Sequence, residues 1–279
     1  MTLGTPKVIL AGDVCIDHNV VNGHKYVSWG SSLMYMNQYL VNHVNIDVGI
    51  IAAHGRDFNK YISGVNIIND PEPIETLVYE NIVKGDRRTQ FCHNIASSKP
   101  VNIDATLQRM FKHANIFVFA PLTPNYQLDY LQTLLKYIPK NALKALIPQG
   151  YLRRIRHDGL VNKSDFINEK SIVPLFDVII ASDKDCDDPF TTTEKWLSCS
   201  EKLNVVITQN KNGATLINKD GFRHIGTIPI PNTKIIDSVG SGDVFSAQMI
   251  ASYYINGDIL QAIDAGNNAA HERLLSPAA

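Results

Sequence analysis

The sequence predicts an α/β fold with a mainly parallel sheet, helices on both faces and a small β-structured lid. Short apolar runs rich in β-branched residues, such as "KVILAG" (7–12) and "DVIIAS" (177–182), are typical of buried parallel strands. Amphipathic segments separate most of these runs, and strands that alternate with helices favour a sheet covered on both faces. Two further segments, with alternating polar and apolar residues, predict the lid.

The elements of the α/β body follow one another along the chain. After the first strand, "SLMYMNQYLVN" (32–42) has apolar residues at helical spacing, and "IDVGIIAA" (46–53) is the second strand. The remaining predicted strands are 116–120, 145–148, 177–182, 204–209 and 213–218. Helical patterns at 125–138 and 191–203 lie between them, and 244–255 is apolar nearly all round, which predicts a buried helix.

The lid is predicted from residues 19–30 and 74–95. Asn22-Gly23 and Lys84-Gly85-Asp86 supply turn signals inside these segments, so both are expected to form hairpin strands. We expect one domain that spans 1–279, with the lid projecting from the α/β body.

Composition and charge exclude several classes of protein. Lysine plus arginine (26) nearly balances aspartate plus glutamate (27), and a net charge of -1 argues against a nucleic-acid binder. The four cysteines are scattered, so neither a disulfide framework nor a zinc site is indicated. The first apolar run is too short for a signal peptide, and no apolar stretch approaches the ~20 residues of a membrane span. A cytoplasmic protein that binds neither nucleic acid nor membrane is expected.

"DSVGSGDVF" (237–245) places two glycines around a serine before the buried helix. One interpretation is a tight turn after a strand at 233–236. The other is an anion site, because glycine lets the backbone approach an anion and the N–H groups of a helix's first turn point at it. Asp243 would then be held ionised by the helix dipole and would accept a proton from a hydroxyl, as phosphoryl transfer requires. Local chemistry alone leaves both interpretations open.

"DSVGSGDVFSA" (237–247) resembles the signature D-T-x-G-A-G-D-x-F-x-A of the ribokinase / phosphofructokinase-B family of carbohydrate and nucleoside kinases. The resemblance implies a ribokinase-like three-layer α/β/α fold, with the lid covering the acceptor. It also implies an ATP-dependent kinase that uses magnesium and phosphorylates a sugar, a sugar-like polyol or a nucleoside. Asp243 would be the catalytic base, and the N–H groups of Gly240, Ser241 and Gly242 would stabilise the transferring phosphoryl group.

Weaker matches to the family imply the acceptor site. "ILAGDVCID" (9–17) resembles the family's first strand, whose final aspartate contacts substrate hydroxyls; here that is Asp17, with Asp13 as a second candidate. Gly30 matches the first residue of a Gly-Gly motif that lines the sugar site, but Ser31 replaces the second glycine. Tyr35 lies where many members have a substrate-binding asparagine.

The donor side is implied by three further segments. "VVITQNKNGATLI" (205–217) resembles the T-x-G-x-x-G nucleotide segment, keeping Thr208 and Gly213 but with Asn210 in place of a glycine. The segment 264–272, which contains Asn267, is the expected adenine-side helix. The family's N-x-x-E becomes Ser182 and Asp185, whose oxygen atoms suit magnesium held through water.

Basic residues supply further candidates. "RRIRH" (153–157) follows a strand end, so Arg153 can reach substrate and Gln149 can hydrogen-bond it; a solvated loop is the alternative. Arg87 and Arg88 lie in the lid, where a substrate contact competes with simple exposure.

Two functions are carried forward. The first is the kinase described above, acting as a homodimer in which apolar lid residues pack together; a monomer whose lid packs on its own body is the alternative. These residues are Val20, Val27, Leu77, Val78, Ile82 and Phe91. The second function is a non-catalytic relative that binds a small ligand or a partner, which the altered motifs favour and the intact Asp243 opposes.

Overall fold

The computed structural model describes residues 7–21, 23–84 and 87–276, and side chains are described for all of these except Arg87 and Asn232. The predicted turns at Asn22-Gly23 and Lys84-Gly85-Asp86 each lie partly outside the described residues, and the chain termini lie outside them. An eight-stranded sheet forms the centre, in the order β14-β13-β12-β11-β8-β7-β1-β4. Neighbouring strands are parallel from β4 to β12, and β13 and β14 are added antiparallel.

Seven strands of this sheet match the predicted apolar runs, and the edge strand β14 was not predicted. Their bounds are β1 Lys7–Asp13, β4 Asp47–Ala53, β7 Ile116–Ala120, β8 Leu143–Leu146, β11 Val178–Ser182, β12 Asn204–Thr208, β13 Ala214–Asn218 and β14 Gly221–Ile225. Strand β7 is buried along its whole length, as a parallel strand covered on both faces requires.

Helices cover both faces of the sheet. On one face, α1 (Ser32–Tyr39), α6 (Ser241–Asn256) and α7 (Ile259–Leu274) enclose one apolar core. On the other, α2 (Ala105–Phe111), α3 (Leu128–Leu135), α4 (Glu169–Ile172) and α5 (Pro189–Leu197) enclose a second. Helix α6 is buried from Val244 to Ser252 except at Gln248, as its apolar pattern predicts. The predicted fold class is confirmed.

A separate four-stranded sheet forms the lid, in the order β3-β2-β5-β6. Its strands are β2 Cys15–Val21, β3 His24–Gly30, β5 Val78–Lys84 and β6 Arg87–His93. Strand β2 starts two residues after β1 ends, so the first strand of the body runs almost directly into the lid. A short hairpin, β9 (Arg153–Ile155) and β10 (Val161–Lys163), lies against the edge of β6.

The structure corrects one predicted element. Residues 233–236 do not form a strand; a 3₁₀ turn occupies Asn232–Lys234 instead. The Ile236 N–H donates to the Leu274 carbonyl of α7 and not to a neighbouring strand. No helix among the described residues combines the length and apolar character that a membrane crossing needs.

Candidate active site

A cavity of about 400 Å³ lies between the lid and the first turn of α6. Residues of the body meet the inner face of the lid there, beyond the carboxyl ends of β1 and β8, where ligands bind in open α/β folds. Seven predicted site residues line it: Asp17, Ser31, Tyr35, Gln149, Arg153, Gly240 and Asp243.

The glycines of the α6 turn have different structural roles. Gly240 has a φ of +77°, a left-handed conformation that glycine adopts without strain. A Cβ at Gly240 would also collide with the ring of Tyr35. Gly242 lies inside the first turn of α6, and a Cβ there would have no atom within 4 Å. Glycine at 240 therefore shapes the turn, whereas glycine at 242 leaves open space over N–H groups that have no intrahelical partner.

Asp243 is half-buried in this first turn. Desolvation raises the pKa of its carboxyl group to about 6, and the nearby negative charge of Asp185 raises it further. A hydrogen bond with the Ser32 side chain and the positive charges of Arg153 and Arg88 lower this pKa, but by less. The pKa is thus raised, whereas the helix dipole was expected to hold this carboxyl group ionised. The carboxylate is still mainly ionised at neutral pH, and a pKa close to the working pH suits a general base.

Ser31 has the most unusual backbone at the site. Its φ of 107° and ψ of 151° lie in a region that is almost restricted to glycine. The side chain is only 8% exposed, and its Oγ has no hydrogen-bond partner among the described residues. The preceding Gly30 leaves room for the carboxylate of Asp17, which a Cβ at position 30 would strike. The serine that replaces the family's second glycine therefore keeps a glycine-like conformation.

Tyr35 connects the lid to the α6 turn. Its ring lies 4.7 Å from that of Trp29, centroid to centroid, and contacts Gly240 on the other side. Burial raises the pKa of its hydroxyl group, and the nearby carboxylates of Asp17 and Asp243 raise it further, so Tyr35 stays a neutral hydrogen-bonding group.

The two predicted aspartates of the first strand separate in the structure. Asp17 lines the cavity, and burial raises the pKa of its carboxyl group. Asp13 does not reach the cavity: it is 2% exposed, and its carboxylate accepts hydrogen bonds from the Leu122 N–H (2.8 Å) and the Tyr126 hydroxyl (2.8 Å). Asp13 therefore holds the loop after β7, and Asp17 is the one of the two carboxylates that lines the cavity.

The inner face of the lid carries a network of amides that the sequence analysis missed. Asn81 donates to Asn19 Oδ1 (3.1 Å), and Asn19 donates to Ser28 Oγ (3.2 Å). Arg88 and Gln90 both donate to Asn81 Oδ1 at 2.8 Å. The signal was present in the sequence, because residues at alternate positions of a lid strand share one face.

Two arginines extend this polar surface. Arg153 donates to the Tyr79 hydroxyl and the Leu122 carbonyl, both at 3.3 Å, and its guanidinium lies over the Tyr79 ring. Arg88 also lines the cavity, and desolvation together with the charge of Arg153 lowers the pKa of its guanidinium. The side chain of Arg87 lies outside the described residues.

Asp185 lies behind the cavity. It accepts the Ser182 N–H at 2.8 Å, and burial raises the pKa of its carboxyl group despite hydrogen bonds from Ser182 and Gln149. Asp185 and Asp243 are close enough for the charge of one to raise the pKa of the other. Two carboxylates that repel each other fit a magnesium ion, which prefers oxygen ligands and keeps several waters. No cluster of three or more His, Cys, Asp or Glu side chains suited to a metal occurs within 7–21, 23–84 and 87–276.

The predicted donor-side residues lie at the ends of β11 and β12, before β13, and in the middle of α7. Thr208 ends β12, and Asn210 adopts a φ of 51°, which asparagine tolerates better than most residues where the family has glycine. Gly213 has a φ of +89° and is packed against the Ile225 carbonyl. Asn267 is 6% exposed and donates to the carbonyls of Ile225 and Gly226, so its amide N–H groups brace α7 against the end of β14.

Comparisons with known proteins agree with this architecture. Residues 166–279 match the model of the pfkB family carbohydrate kinases. The fold is similar to a pyrophosphate-dependent kinase in the ribokinase family, with a TM-score of 0.78 and 16% identity over 97% of this chain and 96% of that one. It is also similar to adenosine kinase of Trypanosoma brucei brucei (0.73, 13%, 98% and 100%) and to ribokinase of Thermotoga maritima (0.71, 14%, 99% and 94%). No curated protein sequence was found to match the chain.

The fold is that of the ribokinase-family structures to which the chain is similar. The resemblance to the ribokinase / phosphofructokinase-B family that the 237–247 motif predicts is confirmed, by the family match over 166–279 and by the fold. These findings support a kinase.

Proposed function

We propose that this protein transfers the terminal phosphoryl group of ATP to a hydroxyl of a sugar, a sugar-like polyol or a nucleoside. The observation that carries the proposal is the position of Asp243, in a helix first turn and at the edge of a cavity whose opposite wall is polar. A carboxylate that faces an acceptor cavity and lies beside the N–H groups of a helix's first turn has the placement that phosphoryl transfer requires.

The chemistry follows from this placement. Asp243 takes the proton of the acceptor hydroxyl group while the hydroxyl oxygen forms a bond to the terminal phosphorus of ATP. The bond from that phosphorus to the bridging oxygen breaks, and ADP is released. The N–H groups of Gly240, Ser241 and Gly242 stabilise the charge on the transferring group, with help from the helix dipole. Magnesium, bound through Asp185 and water, would neutralise donor phosphates.

The polar lid favours an acceptor with several hydroxyl groups. Asn19, Asn81 and Gln90 offer amide donors and acceptors on one face, and Asp17 offers a carboxylate. Each ring hydroxyl can pair with such a group, and a buried hydroxyl without a partner costs about 1–3 kcal/mol. A sugar or polyol therefore suits this face better than a nucleobase does.

The first test supplies the purified protein with Mg²⁺, one donor and a panel of sugars, cyclitols and nucleosides. Separate arms contain ATP and pyrophosphate, because one structural neighbour is a pyrophosphate-dependent kinase. Product is followed by ³¹P NMR, with Asp243→Asn as the inactive control. The proposal predicts a phosphorylated acceptor with ATP; turnover with pyrophosphate alone would keep the kinase and replace the donor.

A non-catalytic ligand-binding protein is the second candidate. Its support is the set of altered positions: Ser31 for glycine, Asn210 for glycine, and Ser182 with Asp185 for N-x-x-E. Acceptor binding by calorimetry, with no turnover by either donor, would favour it.

A homodimer through the lid remains a proposal. Its support is Val27, which is 56% exposed; of the other apolar lid residues, Leu77 is buried and Val78 packs against the core.

A further inference from the structure

The segment that leads into the α6 turn is tied to the end of α7 by one arginine. Arg273 Nη2 donates to Asp237 Oδ2 at 3.0 Å and to the Val239 carbonyl at 2.7 Å. Its Nη1 donates to the Ser276 carbonyl at 2.9 Å and lies 3.5 Å from the Asp237 carbonyl. One guanidinium thus gathers a carboxylate and three carbonyl oxygens.

The carboxylate of Asp237 has two roles in this arrangement. Its Oδ1 accepts the Val239 N–H at 2.9 Å, which folds the segment into a compact turn, while Oδ2 pairs with Arg273. The guanidinium side chain is 12% exposed and the carboxylate 26%, so solvent screens this pair less than a surface pair. The arginine fork suits several oxygen acceptors at once, which an ammonium group does not.

Few other contacts hold this segment. Residues 226–231 and 235–238 belong to no helix or strand, and Val239 is 44% exposed. Further hydrogen bonds from this stretch also end on α7: the Ile236 N–H donates to the Leu274 carbonyl at 2.9 Å. Asn267 donates to the Gly226 carbonyl at 3.2 Å, and a ring nitrogen of His271 lies 3.2 Å from the Ile228 carbonyl. The Val239 carbonyl that Arg273 binds immediately precedes Gly240, where the chain turns into α6.

We propose that Arg273 is a positioning residue that holds the N–H groups of the α6 turn in the geometry that binds the donor's terminal phosphate. The inference rests on the proposed function, in which Gly240, Ser241 and Gly242 bind that phosphate. Donors that are already oriented need no reorganisation when charge develops, whereas a loose loop must be ordered first. Arg273 touches neither substrate and acts through the loop.

The first test is amide hydrogen exchange, which does not depend on knowing the acceptor. In Arg273→Met, exchange at residues 237–242 should rise by about tenfold or more, while the β7 and β11 amides keep wild-type rates. Arg109→Met is the matched control, because Arg109 also lies in the last turn of a helix but bonds only Thr106 of that helix. Unchanged exchange at 237–242 in Arg273→Met would overturn the proposal, whether or not the protein is a kinase.

The second test is kinetic. With the donor and acceptor identified, Arg273→Met should lower kcat/KM for the donor by roughly 10- to 100-fold and leave acceptor affinity near wild type. Guanidinium chloride at millimolar concentration should restore part of that loss in Arg273→Met and none in Asp243→Asn. Arg273→Lys, which keeps the charge but not the fork, should fall between wild type and Arg273→Met. Equal losses for donor and acceptor without rescue would indicate a purely structural arginine and would also overturn the proposal.

Discussion

Replacing Ser31 by glycine should make the protein more stable and a poorer binder of its acceptor. The backbone of Ser31 lies at φ 107° and ψ 151°, and its buried hydroxyl has no partner among the described residues. Both features raise the free energy of the folded protein when no acceptor is bound. Ser31 lines the cavity, and we expect its buried hydroxyl to turn toward a ligand hydroxyl when the acceptor binds.

The size of the effect follows from three contributions. Relief of the backbone conformation is worth about 1–3 kcal/mol. Removal of a buried hydroxyl without a partner is worth about 1–3 kcal/mol more. The extra freedom of glycine in the unfolded chain costs roughly 0.5–1 kcal/mol. We expect a net gain of about 1–5 kcal/mol, which at roughly 2–4 °C per kcal/mol raises Tm by several degrees.

Ser31→Ala is the matched control, because alanine removes the hydroxyl but keeps a Cβ in the same conformation. Thermal unfolding of the two variants separates the causes: glycine should exceed alanine by the backbone contribution, about 1–3 kcal/mol. In acceptor titrations both variants should lose affinity equally, by about 5- to 30-fold for one hydrogen bond. Equal Tm values for glycine and alanine would refute the strain argument, and unchanged acceptor affinity in both would refute the role of the hydroxyl.

Three further predictions concern the base, the turn and the lid. Asp243→Asn should lower turnover by roughly 10²–10⁴-fold. The kcat/KM of the wild-type protein should rise as the pH increases through about 6, the raised pKa of Asp243. A flat profile from pH 5 to 7 would count against Asp243 as the base. Because the folded pKa is raised, ionised Asp243 destabilises the fold above about pH 6, so the asparagine variant should melt higher at pH 8 than wild type and lose this advantage below pH 4. Gly240→Ala should lower Tm, because the backbone at 240 is left-handed and a Cβ there would collide with the Tyr35 ring. Gly242→Val should leave Tm nearly unchanged and weaken donor binding. A lower Tm with normal donor binding in Gly242→Val would show that the turn is purely structural. Val27→Ser should convert a light-scattering dimer to a monomer while Ile167→Ser, an exposed apolar control at 87%, does not, and a monomeric wild type would exclude the lid dimer.

The α/β body was predictable because its signals are local. Strands buried on both faces, such as Ile116–Ala120, are apolar at every position, and that pattern survives in any tertiary context. The strand predicted at 233–236 is absent because residues that favour β structure form a strand only where a neighbouring strand can pair with them. There the chain bonds to α7 instead, through the Ile236 N–H.

The site was predictable only in part. The sequence by itself determined the motif at 237–247, and with it the fold, the position of Asp243 and the glycine that turns the chain at 240, because these requirements lie within a few consecutive residues. Only the tertiary structure decided that Asp17 lines the cavity and Asp13 does not, since that depends on which carboxylate the Leu122 N–H and Tyr126 hydroxyl reach. The tertiary structure also decided the raised pKa of Asp243 and the hydrogen bonds that tie Arg273 to the turn before α6. Desolvation and long-range hydrogen bonds arise from groups that are far apart in sequence and meet only when the chain has folded.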